Sequence, residues 1–258
     1  MGERNHPETS AVRHCLKPND KLREITSHVR ASTRLFSAAL QKYPRDILDL
    51  LIYHKLHFHM SPRDAAERFR RLKNVFVDWN EVRISSIKEI QEVFHDTPDS
   101  LELAIFIKDF LEQIHRLHQT LSLEFLAEEN SADIRKHLKE LKGVDPSSID
   151  MVLRLRKELP VVPLSPAMDL TLQRVGLVKR GEPRDRKARQ LNAMLSPELV
   201  LPFHHFFLEH SREICPTTEA DLRCPVCSLQ RSCSYFAKHR KRLGARQRKT
   251  KVGARSHR

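Results

Sequence analysis

Between residues 98 and 121, Leu103, Ile107, Phe110, Ile114, Leu117 and Leu121 recur at steps of four and three. That spacing follows the turn of an α-helix, so these side chains form one apolar stripe facing a core. Asp99 or Ser100 stands just before the stripe as an N-cap able to accept from the free amides of the first turn. Shorter patterns of the same kind cover 20–42, 45–59, 62–73, 86–94, 131–141, 146–158, 168–178 and 196–210. Six glycines in 258 residues, and no run alternating Val, Ile, Thr and aromatic residues, leave little material for sheets. The chain is therefore expected to be all-α. "LPVVPLSPAMD" and the charged "KRGEPRDRKARQ" at 179–190 read as loops or helix starts, and residues 1–18 as a flexible arm.

The length allows one large domain or two modest ones. No stretch approaches the ~18 apolar residues of a membrane span, and the N-terminus lacks the apolar centre of a secretory signal. The expectation is a cytoplasmic protein, nucleoid-associated if bacterial, without a membrane partner and with reduced thiols. Lys and Arg number 46 against 33 Asp and Glu, but residues 238–258 hold ten of those cations and no acid. The remaining 237 residues thus carry 36 against 33, a body that is nearly neutral. The basic tail is expected to be disordered, either binding nucleic-acid phosphates by counterion release or serving as a solvated extension.

Four of the five cysteines fall in "CPTTEADLRCPVCSLQRSC", as Cys215, Cys224, Cys227 and Cys233, with spacing C-x8-C-x2-C-x5-C. Only Cys224 and Cys227 form the tight knuckle of a structural zinc site, which ordinarily pairs two knuckles. Thiolates arriving from wider arcs suit a cuboidal iron-sulfur cluster better than one ion, with zinc second and disulfides third. Cys15 lies far off and reads as a free thiol.

The stretch "LEHSREICPTTEADLRCPVCSLQRSC" closely resembles the 4Fe-4S loop of the endonuclease III family of DNA glycosylases, with two extra residues in the first interval. A second resemblance lies in "HLKELKGVDPSSIDMVLRLRKELP". Ile134, Leu138 and Leu141 line one helix; Ile149, Val152 and Leu153 line the next; Gly143 between them takes a positive φ at little cost. This matches the family's helix-hairpin-helix, whose exposed amides grip DNA phosphate, and it nominates Gly143, Val144, Asp145 and Ser148 as DNA contacts. Asp145, followed by Pro146, makes a good N-cap yet sets a carboxylate where the phosphate should approach. Ser147 stands where bifunctional members keep a lysine that forms a Schiff base, so strand cleavage is expected to be absent or weak.

The adenine-removing branch also has serine there, together with an additional C-terminal domain where this chain ends in its basic tail, so adenine specificity is not implied. The family's catalytic aspartate corresponds to Asp169 in "AMDLTLQRVGLV", with Arg174 and Val175 in register. A carboxylate there would stabilise an oxocarbenium-like sugar and position or deprotonate water, with Ser147 at most orienting that water. The alternative for Asp169 is a plain cap on a helix starting at Leu170. The family's wedge glutamine is replaced in "HFHMSPRD", leaving His59 or Met60 for that place. His54, His57 and His59 read as polar helix residues rather than a metal site. Trp79 reads as core.

The resemblance implies a helix-hairpin-helix DNA glycosylase fold: a six-helix domain over 43–160, with the hairpin at about 131–158, inserted into a cluster domain of 19–42 plus 161–237. It further implies a monomer acting on double-stranded DNA with a damaged or mismatched base. A 4Fe-4S cluster would be held by Cys215, Cys224, Cys227 and Cys233. The alternative is a catalytically inactive protein that keeps the fold and binds DNA structure.

Overall fold

The structure, a computed structural model, describes residues 18–40 and 43–239. Cys15, nearly all of the N-terminal arm and the tail from residue 240 lie outside the described residues.

Eleven α-helices are described: α1 (Pro18–Leu40), α2 (Ile47–His59), α3 (Pro62–Val75), α4 (Trp79–Ile84), α5 (Ile87–Val93), α6 (Ser100–His118), α7 (Ser131–Glu140), α8 (Pro146–Arg156), α9 (Pro166–Val175), α10 (Arg184–Met194) and α11 (Val200–Glu213). Among the described residues there is no strand, and no helix is long and apolar enough to cross a membrane. Local chemistry sets the helix starts. Asp46, Ser61, Asp78, Ser86, Asn130, Asp145 and Ser165 each accept from a first-turn amide of the helix that follows. Proline at the first position begins α3, α8 and α9, where its missing N–H costs nothing.

The buried apolar side chains form two clusters. One runs from Ile47 to Leu153; the other joins Ile25 and Val29 of α1 to residues Val162 to Leu229, with Cys227 and Cys233 packed against it. In α6 Leu103, Ile107, Phe110 and Ile114 are buried as the stripe predicts, but Leu117 is 58% exposed. The helix ends two residues later at Gln119 (φ 57°), so its last turn runs beyond the core. Asp99 occupies the N-cap position of α6 without bonding an amide; its carboxylate meets His59 instead, 2.9 Å away.

Two helices carry no clear apolar pattern in the sequence. Trp79 begins the short α4, buried as expected, and its indole N–H donates to Asp49 at 2.7 Å. Helix α10 starts after Pro183, as a helix-start reading of that charged stretch allows, and continues to Met194. Asp150, 1% exposed on α8, ties it to the hairpin by accepting from Arg135 of α7 at 2.9 Å and from Arg184 of α10. A cleft of about 380 Å³ lies between these elements, walled by Pro146 and Ile149 on one side and Ala188 and Arg189 on the other.

Candidate functional site

Helices α7 and α8 are joined by a tight turn in which Val144 N–H donates to the Leu141 carbonyl at 3.3 Å. Gly143 takes φ 84°, and a Cβ there would stand 2.6 Å from the Phe106 ring, so both conformation and space demand glycine. Gly143 is exposed, and Val144 and Asp145 are partly so.

Asp145 caps α8 from within. Its Oδ1 accepts from Ser147 N–H at 2.8 Å, Ser148 N–H at 3.2 Å and the Ser147 hydroxyl at 2.6 Å, while Oδ2 accepts from Ser148 Oγ at 2.7 Å. Burial opposes the charge, but neighbouring His54 and the serine hydrogen bonds carry the Asp145 carboxyl below its ordinary range. The amides that an anion would seek at this helix start are thus filled by the chain's own carboxylate. Ser147 is 0% exposed and Ser148 3%, so neither hydroxyl is presented to a duplex in this arrangement.

Behind Ser148 runs a buried polar chain that the sequence does not announce. Ser148 Oγ lies 2.9 Å from His54 Nδ1, His54 Nε2 lies 3.3 Å from His204 Nε2, and His204 Nδ1 donates to the Pro163 carbonyl at 2.8 Å. Donation to Pro163 leaves His204 Nε2 without a proton, so it accepts in the 3.3 Å contact when His54 carries its proton on Nε2. His57 and His205 pack beside this chain, and Tyr43 Oη is 2.8 Å from His205 Nε2. His54 and His57, read from the sequence as polar helix residues, lie on α2 but face the interior, 0% and 1% exposed. Burial holds all four imidazoles below their ordinary pKa, His204 at about 4.

Asp169 lies in the first turn of α9, whose N-cap is Ser165 rather than Asp169. The reading of Asp169 as a cap is therefore overturned. Its Oδ2 takes a 2.8 Å ion pair from Lys187 of α10, and its Oδ1 is buried without a hydrogen-bond partner among the described residues. Lys187 itself was not foreseen, because a lysine in a charged stretch carries no sequence signal of burial.

One and a half turns further along α9, Arg174 reaches the cysteine loop. It donates through Nη1 to the Cys215 carbonyl at 3.2 Å and through Nη2 to the Thr217 carbonyl at 2.8 Å. Cys215, Cys224, Cys227 and Cys233 are free and line one recess with Arg174, His210 and Tyr235. Burial pushes the Cys227 thiol up to about 12 and raises those of Cys224 and Cys233.

The wedge candidates part company. Met60 is packed into the first core, which removes it from the surface, whereas His59 stands at the rim beside Asp99 and Glu102. These three place one ligand atom each within 4.8 Å of one another.

No family model matches the chain. In sequence it is similar to Protein ROS1A of Oryza sativa subsp. japonica, 23% identical over 206 residues covering 73% of this chain and 10% of that protein. An Arabidopsis thaliana protein that carries the name DNA glycosylase is 22% identical over 183 residues, covering 71% of this chain and 62% of that protein. DNA glycosylase/AP lyase ROS1 of Arabidopsis thaliana is 21% identical over 178 residues, 62% of this chain and 13% of that protein. The chain thus spans less than two thirds of each of these relatives. Among solved structures, endonuclease III trapped as a covalent intermediate on DNA aligns with TM-score 0.56 and 16% identity over 88% of this chain and 99% of that one. A thermostable thymine-DNA glycosylase aligns with TM-score 0.58 and 15% identity over 86% and 97%. The fold is that of the helix-hairpin-helix DNA glycosylases. The resemblance to the endonuclease III family fits both comparisons at low identity.

Proposed function

We propose that this chain is a DNA glycosylase that hydrolyses the N-glycosidic bond of a damaged or mismatched base in double-stranded DNA. The observation that carries the reading is Asp169. Lys187 holds Oδ2 at 2.8 Å, Oδ1 is buried without a partner among the described residues, and the side chain stays 24% exposed, so the carboxylate stands where a water proton or the positive charge developing on a sugar could meet it. The likeness to DNA glycosylases in sequence and fold supports that assignment. Position 147 supplies no amine, and the Ser147 hydroxyl is engaged by Asp145, so water is the nucleophile for base removal.

On this reading the protein is a monomer whose two apolar clusters are two domains, 43–160 and 19–42 plus 161–237, with DNA crossing between them. Gly143 and Val144 are the surface contacts, and His59, 12% exposed and held by Asp99, fills the wedge position. Cys215, Cys224, Cys227 and Cys233 hold a 4Fe-4S cluster. Four free thiols lining one recess are the donor set such a cluster requires. Held by these four thiolates, a cluster would cross-link the loop into which Arg174 is anchored.

Incubation with a panel of lesion-bearing duplexes tests the proposal, with free base measured by chromatography and iron and sulfide assayed in the same preparation. Release of one base, with iron and sulfide in equal amounts, is expected. A second reading, DNA-structure recognition without chemistry, is favoured by Asp145 filling the hairpin amides; it predicts damage-selective binding and no base release.

A further inference from the structure

Helices α5 and α6 begin differently. At the start of α5, Ser86 Oγ accepts from the Glu89 amide and the Glu89 carboxylate accepts from the Ser86 amide, a reciprocal capping box. Asp99 and Glu102 hold the same two positions at the start of α6, yet among the described residues neither carboxylate bonds an amide of that turn. Both turn instead to His59, the last residue of α2. Asp99 Oδ2 lies 2.9 Å from His59 Nδ1, and Glu102 Oε1 lies 4.0 Å from Nε2.

The three groups are short of positive charge. A neutral imidazole carries one N–H, so whichever carboxylate receives it, the other faces a bare nitrogen. A protonated ring would supply one positive charge against two negative ones; a divalent ion supplies both. Among the described residues no lysine or arginine lies within 4.0 Å of either carboxylate. Lys55, one turn before His59 on α2, lies over the Phe106 ring instead, 4.9 Å from its centroid. One imidazole nitrogen and one oxygen of each carboxylate stand within 4.8 Å of one another. Small side-chain rotations close three such donors on one ion at about 2.0–2.2 Å. One nitrogen with two oxygens suits a divalent cation of the manganese or zinc class. Asp99 and Glu102 are themselves open to solvent, so further coordination positions are free for water or another oxygen ligand.

We propose that His59, Asp99 and Glu102 bind one divalent cation at a site separate from the cysteine recess. The ion offsets two carboxylates that would repel a duplex, and its open positions take a DNA phosphate oxygen, which makes DNA binding metal-assisted. The phosphate step rests on His59 standing at the wedge position; the ion site does not.

The test titrates the full chain with Mn2+ and follows the free aqua ion by electron paramagnetic resonance. Manganese is the probe because thiolates select softer ions. Saturation at one ion per chain is expected. Glu102→Gln and Asp99→Asn should each weaken binding about tenfold or more, while Glu128→Gln, an exposed acid elsewhere, should leave it as it is. No saturable binding, or binding undiminished in either of the first two variants, overturns the proposal. Duplex affinity is then measured with and without Mn2+. Tightening by Mn2+ in the unaltered chain but not in Glu102→Gln supports the phosphate step, and affinity indifferent to Mn2+ removes it. Mn2+ bound at this site by a chain that releases no base would sink the hydrolytic reading and leave the ion site standing. Base release without saturable Mn2+ binding would do the reverse.

Discussion

Arg174 donates to the Cys215 carbonyl at 3.2 Å, which joins the helix carrying Asp169 to the start of the cysteine loop. The same guanidinium reaches the Thr217 carbonyl at 2.8 Å and lies over the Tyr235 ring, 5.8 Å from its centroid. Whatever loosens the loop is therefore felt one and a half turns away at Asp169. Arg174→Gln should destabilise the fold by about 2 kcal/mol, the scale of hydrogen bonds to a charged donor lost from a partly buried site. It should also lower iron content. Urea denaturation and an iron assay on the variant check both, and an unchanged midpoint would show that the loop holds α9 by other means.

The hairpin turn depends on the absence of a side chain at one position. Gly143→Ala combines a strained φ of 84° with a Cβ driven into Phe106, and should destabilise by about 2 kcal/mol. Adding Phe106→Leu should recover the steric part and leave the backbone part. A double-mutant series in urea separates the two.

Asp150 is the buried strut between the hairpin and α10. Asp150→Asn leaves Arg135 and Arg184 without their anion and should destabilise by about 3 kcal/mol, less than for a fully buried pair because both arginines are partly exposed. Proteolysis within residues 179–190 should rise with it, and resistance equal to that of the unaltered chain would contradict the strut.

Mild acid should unfold this protein. His54, His57, His204 and His205 are held below their ordinary pKa chiefly by burial, and the other groups facing them, Tyr43, Tyr53, Asp145 and Arg212, include one carboxylate to offset a proton. The unfolded chain therefore takes up protons as pH falls through about 6.5 while the folded chain does not, and stability is lost in that direction. Between about pH 7.5 and about pH 5.5 each of the four contributes a loss of a little over 1 kcal/mol, about 5 kcal/mol together. Urea midpoints across that range measure the slope. His57→Phe, which removes two unpartnered ring nitrogens, should flatten it by about a quarter.

What the sequence made legible was local. The α6 stripe, the glycine turn capped by Asp145 and the cysteine spacing each lie within a few turns of chain, where 3.6-residue periodicity and capping chemistry operate. Helix α10 was harder to see because Lys187 and Arg184 are held inside by ion pairing rather than by apolarity. The histidine chain was invisible for a different reason. His54 and His204 are 150 residues apart, and only the packing of α2 near α11 turns two polar residues into one buried network. The closed state of Ser147 also follows from tertiary burial and not from its place in the hairpin motif.

Asp169 is the residue on which base release turns, and single-turnover base release compares the unaltered chain with Asp169→Asn on the best duplex from the lesion panel. A loss of at least a hundredfold in the rate, with DNA binding retained, is the predicted result. Base release undiminished in Asp169→Asn would contradict it.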